Sequence, residues 1–328
     1  MLGVFGLSLG RMWNSMNEPV TFRPASIPFT MTSADRPDVT RYALLTEKRF
    51  VQLFRGVWID VASETELPVP RWADDRWVAE WTKLKGLRLL QPDVAGSHAT
   101  AARLYGLPLP ARFDAGPLHV ASGSKGMRID RPEVVLHRSK FHERQTIGLL
   151  DVDLVAIPLL VVQLAPELTL AELVALGDAA IGRQAGGPYI SLDELRQRVL
   201  DRPRISGRRK VERALSLIRP TVDSSRETWL RLWLVDHGFR EPVVHPAVPS
   251  EAGRCLLHPD LGYPELRIAI EYEGDQHRSS PEQFAADIRR RELLEAEGWV
   301  VLRVTKRTDM AAFARTLSAH VVRRGGRA

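Results

Sequence analysis

Asp260-Leu261-Gly262-Tyr263-Pro264-Glu265-Leu266-Arg267-Ile268-Ala269-Ile270-Glu271-Tyr272-Glu273-Gly274 is the stretch on which the fold of this chain turns. Arg254–Asp260 reads as a strand, Gly262–Pro264 as a turn, and Arg267–Glu273 as a second strand returning beside the first. Side chains alternate faces along a strand, so Ile268, Ile270 and Tyr272 point one way and Ala269, Glu271 and Glu273 the other. The turn carries the end of the first strand, and with it Asp260, back toward Glu271. Gly274 lets the backbone leave the strand sharply. The expectation is three carboxylates, Asp260, Glu271 and Glu273, gathered at one end of a small sheet.

The flanking sequence supplies the other layers. Ser225–His237 is an amphipathic helix before the hairpin and carries Glu227. Pro281–Glu297 is a helix, with proline at its start and Gly298 after its end. Trp299–Val304 is an apolar strand and Asp309–Val322 a closing helix. Helix, hairpin, helix, strand, helix is a mixed α/β order. Converging carboxylates repel one another, and a hard divalent cation relieves that repulsion. Mg²⁺ takes oxygen ligands and keeps waters, so Asp260, Glu271 and Glu273 are candidate ligands for Mg²⁺ or Mn²⁺. Such a site polarises a phosphodiester and generates hydroxide. Glu227 and His277 complete the candidate catalytic set, Glu227 as a further carboxylate and His277 as a proton relay or phosphate contact. Each residue also has a plainer reading. An E-x-E strand presents a solvated face, Asp260 serves turn chemistry, Glu227 pairs with Arg231 one helical turn away, and His277 is a loop residue.

Several separated segments resemble a known family. They are Asp260-Leu261-Gly262-Tyr263, Ala269-Ile270-Glu271-Tyr272-Glu273-Gly274-Asp275-Gln276-His277-Arg278, Asp287-Ile288-Arg289-Arg290 and Leu293-Leu294-Glu295-Ala296-Glu297-Gly298-Trp299. Together with Ser225-Arg226-Glu227-Thr228-Trp229-Leu230-Arg231, they are similar to the very-short-patch-repair-endonuclease-like (Vsr-like) domain of unknown function common in actinobacteria. The resemblance covers about 224–305. It implies the PD-(D/E)XK nuclease superfamily, a restriction-endonuclease-like α/β/α domain with a small mixed sheet, and a divalent-metal phosphodiesterase site. By the same resemblance Asp260 matches the superfamily's aspartate and Glu271 its second acid. Glu273 stands where the superfamily often has lysine, and there the family itself usually has an acid. Arg289 and Arg290, on the next helix, are candidates to touch phosphate or to neutralise the acids, and equally read as a solvated face.

The front of the chain reads as an α+β domain. Asp38–Phe50 has a short helical pattern, and Phe50–Ile59 reads as two strands turning at Gly56, the outline of a partial winged-helix element. Trp77, Val78, Trp81 and Leu84 fall at helical spacing and read as core. Thr169–Ile181 is a helix with a capping box, Thr169 and Glu172. Phe54-Arg55-Gly56-Val57-Trp58, Ser97–Leu107 and Leu136-His137-Arg138-Ser139 resemble, more weakly, the N-terminal region of type IV antitoxins of the AbiEi kind, which implies DNA binding. His98, His137 and His142 read as helix-cap, strand-end or surface residues rather than ligands. Between the two parts lies a basic stretch, Arg196–Arg219, in which Arg208, Arg209 and Lys210 are candidate DNA contacts through phosphate neutralisation.

With 328 residues, 44% of them hydrophobic, the chain is long enough for more than one core. The expected division is 1–31 as a disordered or mis-called start, 32–187 as the AbiEi-like α+β domain, 188–223 as a basic helical connector and 224–328 as the endonuclease-like domain. A net charge of +6 suits an anionic partner. One cysteine, Cys255, excludes an internal disulfide and a cysteine-built zinc site, and fits a reducing cytoplasm. No apolar run is long enough to span a bilayer, so no membrane partner is expected. These readings converge on a metal-dependent endonuclease acting on DNA, with a homodimer suited to cutting two strands. The alternative is a non-catalytic DNA-binding regulator or antitoxin-like protein that keeps the nuclease scaffold.

Overall fold

The computed structural model of the protein describes residues 21–32, 39–139, 145–183, 187–273 and 281–326, with side chains from 285 onward in the last stretch. Helices and open sheets are mixed along the chain, an α+β architecture, in two units, Met1–Ile218 and Arg219–Ala328.

In the first unit, Thr21–Ser26 (β1) pairs antiparallel with Glu64–Val69 (β4). Phe50–Phe54 (β2) and Val57–Asp60 (β3) form the hairpin expected around Gly56. Arg41–Thr46 (α1) precedes it, capped by the Thr40 hydroxyl. Phe29 exchanges backbone hydrogen bonds with Trp58 at 2.9 Å and buries its ring against Leu44 and Phe50. Residues 21–31 therefore belong to the fold, which corrects the expectation of a structureless start up to 31. The omission has a cause: the pairing partner of β1 lies about forty residues downstream, where local pattern cannot reach.

Asp75–Leu90 (α2), capped by Asp74, buries Trp77, Trp81, Leu84 and Leu87 completely or nearly so. Each buried indole finds an acceptor: Trp77 donates to the Leu104 carbonyl at 3.0 Å and Trp81 to that of Leu150 at 2.9 Å. A five-stranded sheet lies beside it in the order β7-β6-β5-β9-β8. Its strands are Ala95–Gly96 (β5), Leu118–Ser122 (β6), Val134–Arg138 (β7), Thr146–Leu149 (β8) and Val152–Val155 (β9). His98–Leu104 (α3) follows β5 directly. Ile157–Leu164 (α4) and Leu170–Ile181 (α5) are almost wholly apolar, and α5 starts with the predicted capping box of Thr169 and Glu172. The stretch read as a connector supplies Leu192–Leu200 (α6), which packs on α4, and Arg208–Leu217 (α7), which packs on α5. Val211, Ala214 and Leu215 bury one face of α7 while its arginines line the other.

The second unit is organised around a four-stranded sheet in the order β10-β13-β14-β15. Val243–Val244 (β10), Leu261–Tyr263 (β13) and Ile268–Glu273 (β14) run antiparallel in succession. Val300–Thr305 (β15) pairs parallel with β14 after a crossover through Pro281–Ala296 (α9). One face packs Ile268 and Ile270 against Leu230 and Leu234 of Ser225–Asp236 (α8) and against Phe313, Leu317 and Val321 of Met310–Arg323 (α10). The other packs Ala269 with Leu294 of α9, Trp299, and two residues of a small hairpin, Val248–Ser250 (β11) and Cys255–Leu257 (β12). The alternation expected along β14 is the one observed, and both faces are covered.

The hairpin differs in detail from its sequence reading. The strand beside β14 is Leu261–Tyr263, not Arg254–Asp260, whose first half pairs instead with β11. The turn is a 3-10 helix at Pro264–Leu266 closed by Arg267 at φ 48°. Gly262 sits inside the strand, where a Cβ would come to 3.0 Å from the backbone oxygen of Ile268. Glycine at that position marked close backbone approach rather than a turn.

Candidate metal centre

Asp260 ends the segment that enters β13, and one of its carboxylate oxygens accepts the backbone N–H of Tyr272 at 2.8 Å. That bond fixes Asp260 beside Glu271 across the β13–β14 pair. Glu227 is buried in the first turn of α8, where its own N–H binds the Ser224 hydroxyl at 3.2 Å. Its carboxylate accepts from the Ser224 hydroxyl at 2.7 Å and from the Asp223 backbone N–H at 3.0 Å. These bonds tie the Glu227 carboxylate to the start of the helix, and the oxygen that takes the Asp223 N–H is also the one facing His245. His245 follows β10 at φ 45°, a left-handed conformation uncommon outside glycine. Its Nε2 lies 3.1 Å from Glu227 and its Nδ1 3.4 Å from Asp223. The His245 backbone N–H donates to the Asp260 carbonyl at 3.1 Å.

Glu227, His245 and Asp260 thus bring one ligand atom each to within 4.8 Å of one another, a group able to hold a metal ion. Glu271 lies next to it. Its Oε1 is buried and makes no hydrogen bond, and Arg290 stands 3.5 Å away as an ion-pair partner. A buried carboxylate oxygen without a hydrogen-bond donor is costly, and here the Arg290 charge offsets that cost only in part. Burial pushes both Asp260 and Glu271 above the ordinary carboxylate range. The Tyr272 N–H pulls Asp260 back, and Arg290 does the same for Glu271. The hydrogen bond to Glu227 raises His245 despite its burial, holding the imidazole toward its cationic form among the acids. Burial thus drives the two carboxyl shifts and the neighbouring carboxylate the imidazole shift. The donor set fits a divalent cation: carboxylate oxygens suit Mg²⁺ or Mn²⁺, and an imidazole nitrogen is the better match for Mn²⁺.

The expected residues are distributed differently from the expectation. Glu273 lies outside the converging group, and Arg303 of β15, in register with Glu271, reaches diagonally to hold the Glu273 carboxylate at 2.6 Å. Arg231 pairs with Glu241 at 2.7 Å. His277 lies outside the described residues. His245 was missed, because nothing local distinguishes a lone histidine between two short strands; only the sheet order places it.

Of the candidate DNA contacts, Arg209 and Arg289 are exposed. Arg208 is engaged by Glu212 at 3.2 Å and the Arg202 carbonyl at 2.9 Å. Lys210 donates to the Leu168 carbonyl at 2.8 Å. Arg290 reaches the His258 carbonyl as well as Glu271.

No family model matches the chain, and no solved structure matches it. Two relatives are similar over 100 residues at 29% identity, covering 29% of this chain. They are "Uncharacterized protein MT2308" of Mycobacterium tuberculosis (strain CDC 1551 / Oshkosh) and "Uncharacterized protein Rv2248" of Mycobacterium tuberculosis (strain ATCC 25618 / H37Rv). The chain spans 36% of the length of these relatives.

Proposed function

We propose that the second unit is a restriction-endonuclease-like domain that hydrolyses DNA phosphodiester bonds with a bound divalent cation, Mg²⁺ or Mn²⁺. One observation carries the reading: Glu227, His245 and Asp260 converge within 4.8 Å, beside a buried Glu271 oxygen that makes no hydrogen bond. The helix, antiparallel strands, crossover helix and parallel strand around them support an α/β/α nuclease scaffold, and so does the resemblance over 224–305. Asp260 and Glu271 would hold the cation with Glu227 or His245. When bound, the cation supplies Lewis acidity and a nucleophilic hydroxide. The chain's own groups do the rest. Glu227 and His245 form a hydrogen-bonded pair able to hold a proton at Nε2, and Arg290 and Arg289 offer positive charge on the helix that follows.

Titration of Mn²⁺ and Mg²⁺ into wild type and Glu271→Gln, followed by cleavage assays on plasmid and single-stranded DNA, tests this. Binding lost in the variant, together with metal-dependent nicking, supports the nuclease. Absence of both in the wild type overturns it.

A specific observation favours a second reading, a DNA-binding regulator on the same scaffold. Arg303 on Glu273 and Arg290 beside Glu271 already neutralise two of the acids without any metal. DNA affinity retained without cleavage in Mg²⁺ or Mn²⁺ would select that reading.

A further inference from the structure

The first unit brings together three histidines far apart in sequence. His98 opens α3, His119 is the second residue of β6 and His137 the fourth of β7. Strands β6 and β7 are parallel, with Ala121 opposite His137 and His119 opposite Val135. His119 and His137 therefore share a face, offset by one pleat. Nδ1 of His119 lies 2.9 Å from Nε2 of His137. The His98 ring stacks on His137 with centroids 3.6 Å apart and planes at 19°. A ligand nitrogen from each of the three lies within 4.8 Å of the other two.

The surrounding backbone holds this arrangement from several sides. The Ser97 N–H donates to the His119 carbonyl at 3.0 Å, and the His119 N–H donates to the Thr100 hydroxyl at 2.9 Å. The start of α3 is thus pinned to β6 on both sides of His119. Gly96, just before, packs against the neighbouring core: a Cβ there would meet Leu154 at 2.8 Å and Leu84 at 2.9 Å. His98 itself has φ 46°, a strained conformation for a residue with a side chain, of the kind that collects at ligand sites.

We propose that His98, His119 and His137 form a binding site for a borderline divalent transition metal of the Zn²⁺ class. Three imidazoles and no carboxylate in the group make it a nitrogen site, which selects Zn²⁺, Co²⁺, Ni²⁺ or Cu²⁺ over Mg²⁺. Zinc bonds imidazole nitrogen at about 2.0–2.1 Å, so the stacked rings would turn to bring their nitrogens onto one ion. Three protein ligands leave a position for water or a small ligand. Burial lowers all three imidazoles from their ordinary value, which favours the neutral form that ligates a metal. This site is independent of the nuclease reading, because its residues, its unit and its metal preference all differ.

The test is Zn²⁺ titration of the full chain after dialysis against chelator. Wild type is compared with His119→Gln, His137→Gln and an Asp260→Asn/Glu271→Gln double variant that disables the carboxylate centre. The expected result is one Zn²⁺ equivalent retained in the double variant, with affinity lowered about 100-fold or more in either histidine variant. Imidazole ¹⁵N chemical shifts of the wild type are read in parallel. Three histidines, assigned to 98, 119 and 137, should shift together at one equivalent, a readout that does not depend on any variant folding. Zn²⁺ bound equally by wild type and both histidine variants, no Zn²⁺ bound at all, or ¹⁵N shifts confined to other histidines would each overturn the proposal.

Discussion

At the residue scale, the carboxylates of the second unit divide into two kinds. Asp260 and Glu271 are half-buried and raised, while Glu273 is paired with Arg303. If the nuclease proposal holds, Asp260→Asn and Glu271→Gln should each lower metal-dependent cleavage at least about 100-fold, since bound metal contributes several kcal/mol to the transition state. Glu273→Gln should cost about 10-fold or less, the low end for a group acting through others. Steady-state cleavage rates of the three variants check this; equal losses would refute the division. A pH dependence follows from the same burial. A carboxyl raised on folding binds its proton more tightly in the native state, so native stability falls as pH climbs from the unfolded range near ~4 through the higher folded values. Metal-free thermal melts against pH should show that decline, and Glu271→Gln should flatten it.

Helices and strands carry their own predictions. Helix α5 begins with a complete capping box, and Thr169→Ala should cost about 1 kcal/mol, the usual cost of losing an N-cap. The hydrogen bond from Arg112 holds Glu172 down to about 2, with the Thr169 groups assisting against burial. A carboxyl lowered on folding stabilises above its unfolded value and loses that contribution as pH falls through the folded one. Acid melts of Glu172→Gln should therefore converge with wild type toward pH 2 and lie below it at pH 6. In the second unit, Arg231 on α8 is fully buried and pairs with Glu241, which is itself 36% exposed. Glu241→Ala removes a partner of that buried guanidinium and should destabilise by roughly 3 kcal/mol, the low end for a broken buried pair. Urea denaturation measures it; a loss under about 0.5 kcal/mol, the level of an ordinary surface substitution, would show that the pair carries little.

For the whole molecule, the two units have separate cores, one centred on Trp77 and Trp81 and one on Leu230, Leu261 and Ile270. Calorimetry should therefore resolve two unfolding steps. Trp77→Ala should lower one and Leu230→Ala the other, each by about 3–5 kcal/mol for a large core truncation. A single transition displaced equally by both would mean the units unfold together. The two candidate centres also belong to different units, and their donor atoms ask for different metals, oxygen-rich in one and nitrogen in the other.

Local pattern alone determined much of this. Helical spacing located α2, α5, α8 and α10, and the two-residue alternation of β14 assigned Ile268 and Ile270 to one face and Glu271 and Glu273 to the other. Those signals are legible because each depends on neighbours a few residues away. What the tertiary structure alone decided depends on partners distant in sequence. Strand β1 finds β4, Arg303 reaches Glu273 across a parallel ladder, and the true partner of β14 is Leu261–Tyr263. His245 joins Glu227 and Asp260 only because β10 lies next to β13. His98, His119 and His137 meet only because α3 is pinned to β6 and β6 pairs with β7. A histidine carries no periodicity of its own, so its role is set by which strands become neighbours. That choice is made by burial of the whole core rather than by any local run of residues.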